Sequence, residues 1–175
     1  MIAHASRLAV VRATDRFHVS LRAALGLRPP GHAGTPVGLA YCGREFRVYP
    51  RMRVTDAIRF YAALHERWDG ATLRADLDAA GVLERFEVRR MKRAVQRALV
   101  LAFASASQPD LLVVENAEDF DEPATATLLD RCTRRAAQAI LTYGDDAPPT
   151  GGEAHLYDAL VDAAAFDPAG FVEKR

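Results

Sequence analysis

The sequence predicts an α/β protein with a mainly parallel sheet flanked by helices. Three observations carry that expectation. Leu8-Ala9-Val10-Val11, Leu111-Leu112-Val113-Val114 and Ala139-Ile140-Leu141-Thr142 are short, largely apolar runs of the kind found in strands covered on both faces. Helical spacing of apolar residues fills the intervals between them, as parallel pairing requires. Residues 43–106 show helical patterns and no strand pattern, so they read as a helical subdomain inserted between strands. One domain over 1–175 is expected, with a core of 1–42 and 107–175 and a helical lobe of about 43–106.

The elements follow in order. Leu8–Val11, bounded by Arg7 and Arg12, is the first strand. His18 to Leu27 suits a short helix through Val19, Leu21, Ala23, Ala24 and Leu25, with Gly26 near its end and Pro29-Pro30-Gly31 beyond. Gly34 to Pro36 is a turn, and Val37-Gly38-Leu39-Ala40-Tyr41 is the second strand. Residues 43–54 are Arg-rich and irregular, with Pro50 breaking any helix. Thr55 is expected to cap a helix carrying Ile58, Tyr61, Leu64 or His65, and Trp68, ended by Asp69-Gly70. Thr72 is expected to cap the next helix, with Leu73 and Leu77 one turn apart and Gly81 in the left-handed position past its end. A third helix, from about Arg89 to Ala106, stacks Met91, Val95, Leu99, Ala102 and Phe103. Pro109-Asp110 then precedes the strand Leu111–Val114. An acidic loop, Glu115 to Glu122, leads to Pro123 as the first residue of a helix striped by Leu128, Leu129, Cys132 and Ala136. After the strand Ala139–Thr142 and a Gly/Pro-rich loop, His155 to Leu160 reads as a helix, and Val161 to Phe166 and Phe171-Val172 as closing strands.

Composition narrows the function classes. The 175 residues carry 23 basic and 23 acidic side chains, a formal net charge of zero, and half of them are hydrophobic. Disorder, collagen and a disulfide scaffold are poor fits. Zero net charge gives no overall pull toward nucleic acid or anionic lipid, so such binding has to come from a local patch. Cys42 and Cys132 form no CxxC and lie far apart in sequence, which suits a reduced cytosolic chain. No run approaches the ~20 apolar residues of a membrane span. The start, Met1 to Arg7, lacks the charged-then-apolar order of a signal peptide. A soluble cytoplasmic protein is expected.

Several phrases are distinctive. Val37-Gly38 is followed by Val48-Tyr49-Pro50-Arg51-Met52-Arg53-Val54-Thr55-Asp56-Ala57-Ile58-Arg59-Phe60-Tyr61 and then by Glu66-Arg67-Trp68-Asp69. Gln108-Pro109-Asp110 leads into Leu111–Val114, and Ala139–Thr142 follows. In this order the phrases resemble the ATP-binding subunit of ABC transporters, closest to the ABC-2-type exporter class. The resemblance covers about Leu8 to Val172 and implies a P-loop-NTPase-like fold. It likens the phrase from Val48 to the opening of the helical subdomain after the Q-loop, and Gln108–Val114 to the approach to Walker B.

The same resemblance shows what is missing. A nucleotide site needs a glycine-rich loop whose backbone N–H groups wrap the phosphates, closed by Lys and Ser/Thr. Matching Leu21–Leu27 to the family's next helix puts Val11 to Val19 on that loop. This stretch has no glycine and no lysine, has Asp15 near the phosphates, and ends without the metal-binding hydroxyl. Arg12 and Arg16 are its conceivable phosphate ligands. The LSGGQ signature falls on Met91-Lys92-Arg93-Ala94-Val95, without its serine or glycines. Glu115 stands at the Walker B aspartate and is the metal ligand if a residual Walker B exists. Asn116 stands at the catalytic glutamate and cannot take a proton from an attacking water. The switch histidine falls at Tyr143 and the Q-loop glutamine near Cys42 or Gly43. The resemblance also leads to the expectation that the antiparallel strands before the first strand are missing, and with them the aromatic that stacks on adenine. A dimeric ABC site takes Walker A and B from one subunit and the signature from the other. A chain lacking both completes neither.

Other constellations read more plainly. Arg89, Arg90, Lys92, Arg93 and Arg97 form a basic cluster, and Glu115, Glu118, Asp119, Asp121 and Glu122 an acidic loop; the preferred reading sets one against the other. The histidines show no HExxH pairing, and Ser105 and Ser107 lack a GxSxG context. The expected function is therefore a non-catalytic, pseudo-ATPase module with no cofactor, acting by protein–protein interaction. Its expected partner is a transporter membrane subunit or an intact ABC ATPase. It would meet the membrane only indirectly, at the inner face, with no nucleic acid bound and a dimer conceivable. Two alternatives stand beside it: an ATP-binding subunit with an unusual working site, and a nucleic-acid- or ligand-binding regulator on the same fold. Partner docking is expected at Phe46, Tyr49, Met52 and Arg53, rimmed by Arg44, Arg47 and Arg51.

Overall fold

β1 (Arg7–Arg12) runs directly into α1 (Asp15–Ala24), and the chain next enters the sheet at β2 (Leu39–Cys42). Three helices follow, α2 (Val54–Leu64), α3 (Gly70–Ala79) and α4 (Arg93–Ala106), before β3 (Leu111–Val114). α5 (Pro123–Arg135), β4 (Gln138–Tyr143) and β5 (Leu160–Asp162) complete the order. The computed structural model describes residues 7–13, 15–25, 38–44, 48–144 and 160–162, without the side chains of residues 7, 15, 16, 24 and 160–162. The expected turns at Pro29–Gly31 and Gly34–Pro36, residue Val37, the helix from His155 and the strand at Phe171-Val172 lie outside the described residues.

The sheet order is β2-β3-β4-β1-β5, and all four pairings are parallel. Val10 sits opposite Leu141 and Val113 opposite Ile140, so β1 and β3 are separated by β4 alone. Each face has its own cover. Phe17, Leu21 and Leu25 pack against Ala9, Val11, Leu111, Val113 and Ile140 on one side. On the other, Val10, Leu112, Val114, Ala139 and Leu141 join α4, α5 and the inner faces of α2 and α3 in one continuous core. α4 is buried on nearly all sides, as a central helix should be.

The differences from the sequence reading are local and have causes. α1 begins at Asp15 and not at His18, and β2 ends at Cys42 and not at Tyr41. α2 starts one residue before Thr55, whose hydroxyl instead donates to the Glu84 carbonyl at 2.9 Å. It ends at Leu64, well before Asp69-Gly70, and Trp68 packs on the core from the following loop, with His65 stacked on it. α3 is capped by Asp69 and not by Thr72: the carboxylate accepts from the Thr72 N–H at 2.9 Å and from its hydroxyl at 2.6 Å. The stretch expected as one helix from Arg89 is a 3-10 turn, Val88–Arg90, followed by α4 from Arg93. Leu160 belongs to a strand and not to a helix end. No helix among the described residues is long and apolar enough to cross a membrane.

α3 ends as expected. Gly81 is left-handed at φ +68°, and the Val82 N–H reaches the Leu77 carbonyl at 2.8 Å while the Gly81 N–H reaches that of Asp78 at 3.1 Å. A Cβ at Gly81 would meet nothing within 4 Å, so a side chain there costs backbone strain alone. Gly81→Ala should lower stability by about 1 kcal/mol, read as a lower urea midpoint at unchanged slope.

Candidate functional site

The carboxyl end of the sheet gathers the residues that sequence reasoning singled out. β3 runs out at Val114, and the next residue, Glu115, has a fully buried side chain on the face that α1 covers. Arg22 reaches it from the last turn of α1: Nη2 donates to Oε2 at 2.7 Å, and the single Nε–H is shared between the Tyr41 hydroxyl at 2.7 Å and Oε1 at 3.1 Å. The Tyr41 hydroxyl, from β2, also donates to Oε1, and the Arg44 N–H donates to Oε2 at 3.0 Å. Each carboxylate oxygen thus accepts two hydrogen bonds, filling the roughly four acceptor positions of the group. Burial acts to raise the Glu115 carboxyl, but the bonds from Arg22, Tyr41 and the Arg44 N–H outweigh it and hold the group below its ordinary value. The hydrogen bond to Glu115 raises the Arg22 guanidinium in turn, and burial pushes up the Tyr41 phenol. Gly43 leaves room for this arrangement: a Cβ there would stand 2.6 Å from the Tyr41 ring.

The other face of the sheet holds the backbone of the same residue. Arg97 of α4 is buried and donates to the carbonyls of Glu115 and Gly43, with its guanidinium over the Phe120 ring and Nε 3.5 Å from Asp119. Arg97 is therefore not part of an exposed basic cluster, whereas Arg89, Arg90, Lys92 and Arg93 are exposed. The acidic loop does face the basic helix: Arg93, Arg97, Glu118, Asp119 and Asp121 line one cavity of about 210 Å³. Among the described residues no group of His, Cys, Asp and Glu is arranged to hold a metal ion. Burial raises both free thiols, Cys42 and Cys132, to about 11, leaving them unreactive near neutrality.

The stretch Val11 to Val19 is not a loop. Val11 and Arg12 belong to β1, α1 begins at Asp15, and only Ala13 and Thr14 lie between. The Ala13 N–H donates to the Tyr143 carbonyl at 2.7 Å, continuing the ladder with β4. His18 is buried against the Thr142 hydroxyl at 2.9 Å. Arg12 is exposed; the Arg16 side chain and Thr14 lie outside the described set. Asn116 is left-handed at φ 51°, and its amide donates to Glu118 Oε1, which also accepts the Gly144 N–H and so ties the ends of β3 and β4 together. α4 opens at Lys92 without a side-chain cap, so two cations, Lys92 and Arg93, stand at its positive end. Tyr143 stays in β4, buried.

Of the expected docking residues, Tyr49 is 59% exposed and packs edge-on against Phe60, while Arg53 is exposed. Met52 is half-buried against the core, and Phe46 lies outside the described residues, as does Arg47. Phe60 and Leu64, at 38% and 62% exposure, extend the apolar ridge along α2. Sequence reading put Leu64 or His65 among the inward positions, and both are exposed; it named Arg22 and Tyr41 in no functional role.

The lowered Glu115 carboxyl gives a signed expectation. Its stabilisation is complete above the ordinary glutamate value, about 4.3, and is lost as the pH falls through the lower folded-state value. Arg22→Met should cost about 2 kcal/mol at pH 7, less than a fully buried pair because the Arg22 side chain is 38% exposed. Urea unfolding should show that cost shrinking as the pH falls below the ordinary glutamate value and through the lowered folded-state value, where Glu115 is protonated. A cost constant across the range means that the charge pair is not what holds these residues.

No family model matches the sequence, and no curated protein matches it. Solved structures do. An ABC transporter ATP-binding protein assignment from Pyrococcus furiosus superposes at a TM-score of 0.67 and 12% identity, over 92% of this chain and 86% of that one. A chain assigned as a cobalt transport ATP-binding protein gives 0.61 and 18%, over 79% of this chain and 59% of its own length. An ATP-binding subunit of an ABC transporter gives 0.63 and 12%, over 78% and 68%. The match thus spans about three-fifths of the cobalt-transport relative. At such identities the likeness is one of fold, and the fold is that of ABC transporter ATP-binding proteins.

Proposed function

We propose that this chain is a non-catalytic module on the ABC ATP-binding fold, acting by binding a protein partner. The observation that carries the reading is the saturated carboxylate of Glu115. A Mg²⁺ ion keeps several waters and needs free carboxylate oxygens. At Glu115 it would have to displace Arg22 together with the Tyr41 hydroxyl from Oε1, or Arg22 together with the Arg44 N–H from Oε2. The two-residue link between β1 and α1 adds to this, since it offers no glycine-rich stretch in which successive N–H groups could turn toward a triphosphate. Asn116 supplies no base. Lys92 and Arg93 bring no capping hydroxyl to the start of α4. The fold is retained while every group that would do the chemistry is replaced, which favours a binding role.

The partner class that the fold supports is a transporter membrane subunit or an intact ATP-binding subunit, to be met on the cytoplasmic side of a membrane. The ridge of Tyr49, Phe60 and Leu64, with Arg53 beside it, is the surface suited to it, since exposed aromatic and arginine side chains carry much of the energy at interfaces.

Titration with a fluorescent ATP analogue and Mg²⁺ tests the non-catalytic reading. No saturation is expected below about 1 mM, or ~4 kcal/mol. Micromolar affinity, or hydrolysis abolished by Glu115→Ala, contradicts the reading.

A further inference from the structure

The two segments that flank α2 and α3 form a short ribbon. Arg53 and Glu87 make an antiparallel bridge; the Val54 N–H reaches the Phe86 carbonyl at 3.0 Å, the Val88 N–H that of Met52 at 3.0 Å, and the Arg89 N–H that of Pro50 at 2.8 Å. Burial splits the side chains: Met52, Val54 and Val88 pack into the core, while Arg51, Arg53 and Arg89 are exposed and Glu87 is half-buried. Segments 50–54 and 86–92 together carry five cations, Arg51, Arg53, Arg89, Arg90 and Lys92, all exposed, against one acid, Glu87. Glu87 is already engaged by Arg89 at 2.7 Å. A chain with no net charge thus concentrates positive charge on one small face.

Apolar side chains surround that face. Of the six large hydrophobic side chains exposed among the described residues, Val19 lies elsewhere, and Tyr49, Phe60, Leu64, Leu83 and Phe86 all belong to the lobe. Tyr49 stands at one end of the ribbon and Phe86 at the other, the latter with the Arg85 guanidinium 5.6 Å from its ring centroid. Cations interleaved with protruding apolar side chains are what an interfacial membrane site presents. Nucleic-acid binding would use the arginines and could stack bases on the aromatics, but Leu64 and Leu83 have no π face to offer.

We propose that the outward face of this ribbon seats the protein on an anionic phospholipid bilayer, with Arg51, Arg53, Arg89 and Arg90 at the headgroups and Phe86 and Tyr49 entering the interface. The site is independent of nucleotide chemistry and stands or falls apart from the preceding reading. It shares Tyr49 and Arg53 with the surface proposed for a protein partner, so lipid and partner would compete at those two residues, while Arg51, Phe86, Arg89 and Arg90 belong to the lipid site alone.

Co-sedimentation of the full chain with vesicles of phosphatidylcholine and phosphatidylglycerol at 3:1, against phosphatidylcholine alone, tests it, with circular dichroism and urea midpoints checking each variant's fold. Binding is expected only with the anionic vesicles and should fade at about 0.5 M salt. Arg51→Gln/Arg53→Gln should weaken it about 30-fold, Arg51→Lys/Arg53→Lys should leave it nearly intact, and Phe86→Ser should weaken it severalfold. Arg134→Gln, on the exposed face of α5, should change nothing. No anionic-vesicle binding, equal binding to neutral vesicles, or equal loss with Arg134→Gln overturns the proposal. So does tighter binding to single-stranded RNA that ignores Phe86→Ser, which would assign the face to nucleic acid.

Discussion

A carboxylate removed from water must find positive charge and hydrogen-bond donors, and Glu115 meets that requirement in a way that organises the whole molecule. Its side chain is fully buried at the carboxyl end of β3, where α1 supplies Arg22, β2 supplies Tyr41 and the turn after β2 supplies the Arg44 N–H. Its carbonyl is held from the opposite face by Arg97 of α4, which also takes the Gly43 carbonyl. One residue therefore links both helical layers to the sheet. Such a hub need not add much net stability, since desolvation offsets the attraction. It does specify one arrangement, because removing Arg22 leaves the buried carboxylate without its counter-charge.

The same hub decides what the end of the sheet can do. Ligands of open α/β sheets bind beyond the carboxyl ends of the strands, and among the described residues there the protein's own groups pair with one another. Arg22 stands as an internal counter-ion to the carboxylate. The Ala13 N–H is spent on Tyr143, and Glu118 spans the ends of β3 and β4 through Asn116 and Gly144. The exposed apolar and basic residues collect instead on the outside of the helical lobe.

Much of this was legible in the sequence. Leu111–Val114 and Ala139–Thr142 announce buried strands because both faces of the sheet are covered, and Pro123 and Gly81 mark helix ends by backbone constraints that belong to the residue itself. Glu115 and Asn116 were found by position. Their partners were not, because Arg22 and Tyr41 lie 93 and 74 residues away and no local pattern records such pairing. Asp69 and Thr72 both fit a cap, and only the turn geometry chooses Asp69. Arg97 reads as one of several arginines on a helix. Its neighbours Ala98 and Leu101 were the available sign that this face is buried.

The claim that Glu115 is a structural anchor held by Arg22 is tested most directly by a double-mutant cycle. Wild type, Arg22→Met, Glu115→Gln and the double variant would be compared by urea unfolding at pH 7. The account predicts a coupling of about 2 kcal/mol, with the double variant more stable than the sum of the single costs allows. Additivity within about 0.5 kcal/mol would contradict it: the two side chains would then be neighbours without being partners, and the carboxylate would be free for another ligand.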